Sequence, residues 1–365
     1  AAELVRQRAA AGRPVDVVHC NDWPTALVPT YLRELAREIP ALAATHTVLT
    51  IHNVAHQGVF PKGQLETIGL GWDAFRVEGI EFYGGINFLK QGIVDADVIT
   101  TVSPSYAREI QTAEHGARLD GVLRKRSEAL VGIVNGVDYA VWNPATDPAL
   151  AARYDAEDFR NKARCKGALQ SELGLPIDVQ APIVAFVGRL AQQKGADVVA
   201  SVLPKILRAT GAQVVIAGDG DAAVARSLAD AAAKSAGRAV FAQAASEPLA
   251  HRIFAGADVL LVPSRYEPCG LVQMYAHRYG AIPVARATGG LADTIVDCDA
   301  KLETGTGFLY DDPEAAGLLG ATERALAAMA LPRWPALVRR AMRLDRGWEG
   351  PARRYEQAYA AAGAR

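Results

Sequence analysis

Short apolar runs recur along the chain at 15–19, 47–52, 98–102, 132–134, 183–187, 214–217, 259–262 and 282–285. They are rich in β-branched residues and too short for helices, which predicts buried parallel strands. Between them lie segments rich in Ala, Leu, Arg and Glu, such as 26–38, 196–210 and 222–234, which read as crossover helices. Strand and helix in alternation imply an α/β fold with doubly wound parallel sheets.

The series restarts after a turn-rich stretch, Trp142-Asn143-Pro144-Ala145-Thr146-Asp147-Pro148. Two Rossmann-like domains are therefore expected, 1–133 and 134–346. A C-terminal helix in 347–365 is assigned to the first domain, although spacing alone does not choose its partner. Ligands of such sheets bind beyond the carboxyl ends of the strands, so the site is expected in an interdomain cleft.

The chain has 365 residues, more than one core usually serves. With 39 basic and 40 acidic residues it carries no global field for polyanions, which argues against nucleic acid. A neutral substrate fits. No apolar run reaches the ~20 residues that cross a bilayer. The scattered Cys20, Cys165, Cys269 and Cys298 form neither a disulfide framework nor a zinc pattern, and point to a reducing cytoplasm. The opening Ala-Ala-Glu-Leu-Val-Arg reads as mid-helix without an N-cap, so a fragment is expected.

Candidate chemistry clusters at strand ends. Gly188-Arg189-Leu190 follows one strand and Lys194-Gly195 opens a helix, a seat suited to a diphosphate; an ordinary exposed Arg and Lys is the competing reading. Glu267, in Pro263-Ser264-Arg265-Tyr266-Glu267-Pro268-Cys269-Gly270-Leu271, can bind sugar hydroxyls and stabilise positive charge at an anomeric carbon, or simply satisfy a helix start. The cationic seat is expected to face this acidic loop across the interdomain gap. Cys269 reads as a buried thiol rather than a nucleophile.

His52 and Asn53 end a strand, and His52 is a sugar-ligand candidate or a structural histidine. His46, His52 and His56 lack the spacing of a zinc site. Asp22 follows the first strand and is either a ligand or the N-cap of the helix near Pro24. Gly218-Asp219-Gly220-Asp221 resembles a metal-binding Asp-x-Asp but follows a strand of the second unit, where a Gly-rich turn near a nucleotide fits better. Asp95 and Asp97 read as solvated or capping.

Together, HCNDWPTALVPTYL (19–32), TIHNVAHQGVFP (50–61), EFYGGINFLKQGIVDADVITTVSPSYAREI (81–110), IVNGVDYAVWNPATDP (133–148), VGRLAQQKG (187–195), the segment 257–295 containing PSRYEPCGL, and GTGFLY (305–310) resemble the glycogen and starch synthase family. The resemblance implies a GT-B fold and retaining transfer of glucose from ADP-glucose, or UDP-glucose, to the 4-OH of an α-1,4-glucan, without metal or other cofactor. By the same resemblance Arg189 and Lys194 hold the diphosphate, and Glu267 supports the oxocarbenium-like centre. Cys269, Gly270 and Leu271 shape the same loop, while Asp22, His52 and Asn135 contact the glucosyl unit, His52 being counted with the catalytic residues; Gly188 and Asn53 are further substrate-binding candidates. Gly218, Asp219, Thr288 and Gly289 lie near the nucleotide and phosphates.

The family's opening strand and Lys-x-Gly-Gly loop have no counterpart here, so the first domain is expected to be incomplete. Ala245 stands where some ADP-glucose enzymes stack an aromatic residue on adenine. Another GT-B transferase and a non-catalytic glucan-binding fragment remain open. A dehydrogenase is disfavoured, because no strand leads into GxGxxG.

Overall fold

Each apolar run must pair its backbone, and in the computed structural model, which describes residues 1–363, they do so in two parallel sheets whose inner strands are buried on both faces while the outer strands of the first sheet are only partly buried. Two compact units result, residues 1–135 with 349–365, and residues 136–348. Among the described residues no helix is long and apolar enough to cross a membrane.

The first unit holds β1 (Val17–Asn21), β2 (His46–Ile51), β6 (Val98–Thr101) and β7 (Leu130–Gly132), in the order β1-β2-β6-β7. A small antiparallel sheet of β3 (Val59–Pro61), β4 (Glu81–Phe82) and β5 (Gly85–Asn87) interrupts the parallel series. The apolar-run reading missed it because these strands are two or three residues long. It also placed β1 two residues early and β7 two residues late.

The helix Glu349–Gly363 lies on the first sheet, with Ala358 and Ala362 buried against Val48, Val98 and Ile133. A polar thread fixes it there: the Tyr359 hydroxyl meets His19 Nδ1 at 2.9 Å, His19 Nε2 meets Thr50 Oγ1 at 2.6 Å, and Thr50 meets Thr100 at 2.6 Å. Burial lowers the His19 pKa, with nearby His52 adding to the effect.

Asp95 departs from its solvated reading. It is buried and accepts from Thr30 Oγ1 (2.6 Å), Gln91 Nε2 (2.6 Å) and Arg33 Nη1 (2.6 Å), because the segment before β6 folds back on the helix Val28–Glu38. Asp97 accepts from the Thr47 amide and hydroxyl at 2.7 and 2.8 Å, joining β2 to β6 at their starts.

The second unit orders its strands β10-β9-β8-β11-β12-β13: β8 (Ile183–Val187), β9 (Gln213–Gly218), β10 (Ala239–Gln243), β11 (Val259–Val262), β12 (Ile282–Arg286) and β13 (Phe308–Tyr310). β10 and β13 were absent from the apolar-run reading. Both are outer strands and only partly buried, and β13 is three residues long. The helix Ala196–Ala209 shows why its segment packs: Val198, Val199, Val202, Leu203, Ile206 and Leu207 recur at helical spacing and are buried.

The turn-rich stretch docks through Trp142, stacked between His251 and Tyr275 with 3.9 Å between ring centroids on each side. Behind it, buried Asp147 accepts from the Tyr279 hydroxyl at 2.5 Å and pairs with His251 Nδ1 at 2.6 Å.

His277, on the helix Val272–Tyr279, is fully enclosed, and its Nε2 lies 2.9 Å from the Thr306 carbonyl. Burial pushes its pKa down to about 3; the bond to Thr306 opposes this, and the Arg346 cation adds to it. The unfolded imidazole titrates near its ordinary ~6.5, so below that pH the unfolded chain binds a proton that the folded chain refuses until about 3. Stability should therefore fall on acidification through this window, by at most ~1.4 kcal/mol per pH unit from this group. Urea unfolding of His277→Gln between pH 7 and 4 should show a slope shallower by about one proton; equal slopes would contradict a neutral, enclosed His277.

Candidate functional site

In the second unit the strand order reverses between β8 and β11, which are adjacent and parallel. Their carboxyl ends thus open side by side at a topological switch point, where α/β sheets leave a crevice for ligands. The loop after β8 carries Gly188, Arg189 and Lys194, and the loop after β11 carries Glu267. Lys194 Nζ meets Glu267 Oε2 at 2.5 Å, and Ser264 Oγ donates to the same oxygen at 2.9 Å. The Glu267 side chain is 5% exposed and that of Lys194 22%.

Two expectations change here. The cation and the acid do not face each other across an interdomain gap, because both belong to the second unit and bond directly. Glu267 also does not serve a helix start, since the next helix begins at Val272. Arg189 is exposed, with a long 3.4 Å contact from Nη2 to Gln193 Oε1. A cavity of about 30 Å³ lies between the loops, bounded by Gly188, Lys194, Ser264 and Glu267 among others.

Arg265 knits the two loops together. Its amide donates to the Gln193 carbonyl at 2.8 Å and its Nη1 to the Gln192 carbonyl at 2.7 Å, while the guanidinium grips both oxygens of Asp197 at 2.8 and 2.6 Å. Arg286 Nη1 in turn donates to the Arg265 carbonyl at 2.5 Å. Sequence reading quoted Arg265 inside a motif without giving it a role; its partners are about 70 residues away and no local pattern announces them.

Gly218 ends β9 beside this seat. A Cβ there would lie 1.9 Å from the Gly188 carbonyl oxygen, so only glycine lets the two strand ends approach this closely. The Leu190 amide donates to the Asp219 carbonyl at 2.7 Å, and the Asp221 amide to Leu190 at 2.8 Å. Asp221 caps the helix Ala222–Ala233, accepting from the Val224 and Ala223 amides; these bonds hold its carboxyl below the ordinary range. Asp219 is exposed, 3.5 Å from Gln243 Nε2. Among the described residues no three His, Cys, Asp or Glu side chains group to hold a metal ion.

Thr288 and Gly289, read as a turn, are the N-cap and first residue of the helix Gly289–Thr294, whose start backs the acidic loop. The Gly290 amide donates to the Glu267 carbonyl at 2.9 Å, and a Cβ at Gly290 would lie 2.0 Å from the Cys269 carbonyl oxygen. Cys269 is buried, while Leu271 is 36% exposed at the end of the loop. Gln273, fully buried, gathers this loop by donating Nε2 to the carbonyls of Cys269 and Gly270 and to Thr294 Oγ1, at 3.1, 2.6 and 2.9 Å. It was missed because a glutamine one turn into a helix carries no distinctive signal.

The first unit assembles its own candidates. Asp22 is not an N-cap through its side chain: its Oδ1 accepts from the His52 amide at 2.8 Å, linking the ends of β1 and β2. It does so at φ +54°, a conformation rare for non-glycine residues. The His52 ring meets Asn21 Oδ1 through Nε2 at 2.9 Å, so Asn21, unremarked in the sequence, orients the imidazole. Asn53 turns inward on its own loop and accepts from the Ala55 amide at 3.0 Å. Asn135 is half-buried in the loop after β7.

Residues 1–125 match the family model "Starch synthase catalytic domain", and residues 174–332 match "Glycosyl transferases group 1". A glycogen synthase of Anaeromyxobacter dehalogenans is 50% identical over 352 residues, 96% of this chain and 73% of that protein. The chain belongs to the glycogen and starch synthase family. A glycogen synthase of Thermotoga maritima is 44% identical over 94% of the chain and 71% of its own length. The solved catalytic domain of Arabidopsis thaliana starch synthase IV, bound to ADP and acarbose, superposes with a TM-score of 0.90 at 33% identity, over 100% of this chain and 76% of that one. Sucrose-phosphate synthase of Thermosynechococcus elongatus, at 20% identity and a TM-score of 0.63, shares the fold. This family member is thus a glycosyltransferase built from the two Rossmann-like units of the GT-B class.

The contact of Gly290 with the acidic loop gives a test. In this synthase Gly290→Ala must push Cys269 and Glu267 outward, since all three nearest atoms belong to the Cys269 backbone. A loss of ~2–4 kcal/mol in urea unfolding is expected, with reduced turnover of the remaining folded protein. Unchanged stability would show that the loop is not held against this helix start.

Proposed function

We propose that this chain transfers glucose from ADP-glucose to the non-reducing 4-OH of an α-1,4-glucan with retention at the anomeric carbon. The single observation carrying this reading is the ion pair of Lys194 with buried Glu267 at the switch point of the second sheet. Held by Lys194 and the Ser264 hydroxyl, a carboxylate at this position is placed to stabilise a developing glucosyl cation. Lys194 has three donors and can keep Glu267 while it takes a phosphate oxygen. Exposed Arg189 supplies a second, planar set of donors for the diphosphate.

In the proposed step the anomeric C–O bond to the diphosphate breaks, and its electron pair leaves with ADP. The acceptor 4-OH oxygen forms the new bond on the same face and gives its proton to the departing phosphate oxygen. Front-face attack is favoured because no opposing nucleophile is evident. Lys194 and Arg189 meet the charge of the leaving group, so the proposal includes no metal ion. On the first unit, Asp22, His52, Asn53 and Asn135 would contact the transferred glucosyl unit. The preference for ADP-glucose rests on the glycogen synthases to which the chain is similar; Ala245 offers no aromatic surface for adenine, so UDP-glucose is the comparison to run. Four free, buried cysteines support a cytoplasmic setting.

The decisive experiment measures nucleotide release with glycogen from ADP-glucose and UDP-glucose, with and without a chelator. Release from ADP-glucose, unaffected by the chelator, is expected. Glu267→Gln, which keeps the shape and removes the charge, should lower kcat by at least ~10²-fold, whereas Arg189→Ala should mainly raise the KM for the donor. Wild-type turnover by folded Glu267→Gln would refute the role given to Glu267. Polymer extension separates this reading from other GT-B transferases, and nucleotide release separates it from a non-catalytic glucan binder.

A further inference from the structure

Lys194 ends a single short turn, Gln192–Lys194, that has no side-chain cap. The hydrogen bonds of such turns are poorly aligned, and an ammonium on a four-carbon stem is flexible, so the turn alone does not aim this lysine. What holds it comes from the loop after β11. The Arg265 amide and Nη1 take the carbonyls of Gln193 and Gln192, while the guanidinium takes both oxygens of Asp197. These partners bracket Lys194 in the chain.

The backbone permits the approach. Gly195 follows Lys194 at φ +68°, and a Cβ there would lie 2.2 Å from the Pro263 carbonyl oxygen. Asp197 stands in the first turn of the helix Ala196–Ala209, so Arg265 also fixes where that helix begins. With Arg286 donating to the Arg265 carbonyl from the end of β12, three strand ends converge on a residue close to Glu267. Hydrogen bonds from Arg265 hold the Asp197 carboxyl below its ordinary range. The two side chains are 34% and 43% exposed, and an ion pair in that setting adds little to stability. A two-pronged grip anchored to both loops contributes geometry instead.

We infer that Arg265, gripped by Asp197, is a positioning residue that keeps Lys194 against Glu267 and directed at the departing diphosphate. Its consequence for turnover rests on the glucosyl transfer proposed above; the placing of Lys194 can be measured without it. Misplacement of a catalytic group by about 1 Å can cost ~10²-fold in rate.

The test compares the wild-type chain with Asp197→Ala, which removes the grip, and Arg265→Lys, which keeps a cation but lacks the planar fork. Asp197 is partly exposed, so its variant retains the fold. Acetic anhydride labelling read by mass spectrometry reports how free the Lys194 amine is, with exposed Lys205 on the following helix as reference. Labelling of Lys194 relative to Lys205 should rise about threefold or more in both variants, as the opposite charge beside it loosens. With ADP-glucose, kcat should fall about tenfold while the KM for glycogen stays unchanged. A merely structural role would raise labelling at both lysines together. Unchanged relative labelling in folded Asp197→Ala overturns the inference, as does raised labelling with wild-type kcat. The two proposals fail separately. A wild-type chain that releases no nucleotide sinks the transfer reaction and leaves labelling to decide the role of Arg265, whereas normal release with unmoved labelling sinks only that role.

Discussion

A carboxylate that is 5% exposed must have its charge compensated, and in the second unit this requirement falls on the Lys194–Glu267 contact. Removing one partner of such a pair leaves a desolvated charge, which typically costs ~3–5 kcal/mol. The loops that carry the pair are accordingly fixed from several sides. Arg265 ties the acidic loop to the loop after β8, Gly290 backs it, and Gln273 gathers its carbonyls. Preorganisation of this kind is what electrostatic stabilisation needs, because groups already in place do not have to reorient when charge develops.

Strand order makes the contact possible. Lys194 and Glu267 are separated by more than seventy residues, yet β8 and β11 are neighbours, so their following loops are neighbours too. Gly188 and Gly218 extend the same logic to β9, where the missing side chain permits an approach that any Cβ would block. In the first unit the adjacent strands β1 and β2 bring Asp22 to His52 in the same way, at the expense of a left-handed backbone at Asp22. Strain retained at a strand end is more readily understood as serving a site than as serving the sheet.

Much of this was legible in the sequence. The runs at 183–187 and 259–262 coincide with β8 and β11, because strands buried on both faces are apolar throughout. The residues at their ends followed directly. The strands β3, β4, β5 and β13 are only two or three residues long and escaped notice, as did β10, an outer strand that is only partly buried. So did every role that depends on a distant partner: Asp95, read as solvated or capping, is buried against Arg33; Asp22, read as a ligand or a cap, holds the His52 amide; and Arg265 had no role until Asp197 and Gln192 stood beside it. Local patterns report what a residue does to its own helix or strand, and these residues act across the sheet.

The charge distribution bears on how the two proposed substrates are held. Lys and Arg are outnumbered by Asp and Glu by one, so the molecule offers little long-range attraction to anions. In the proposed reaction a diphosphate would instead be met at short range, by partly buried Lys194 and exposed Arg189 at a strand end. A glucan has no charge to attract at any range, and a single sugar offers few contacts. Its affinity must come from repeated weak contacts along one polymer, summed through linkage rather than through field.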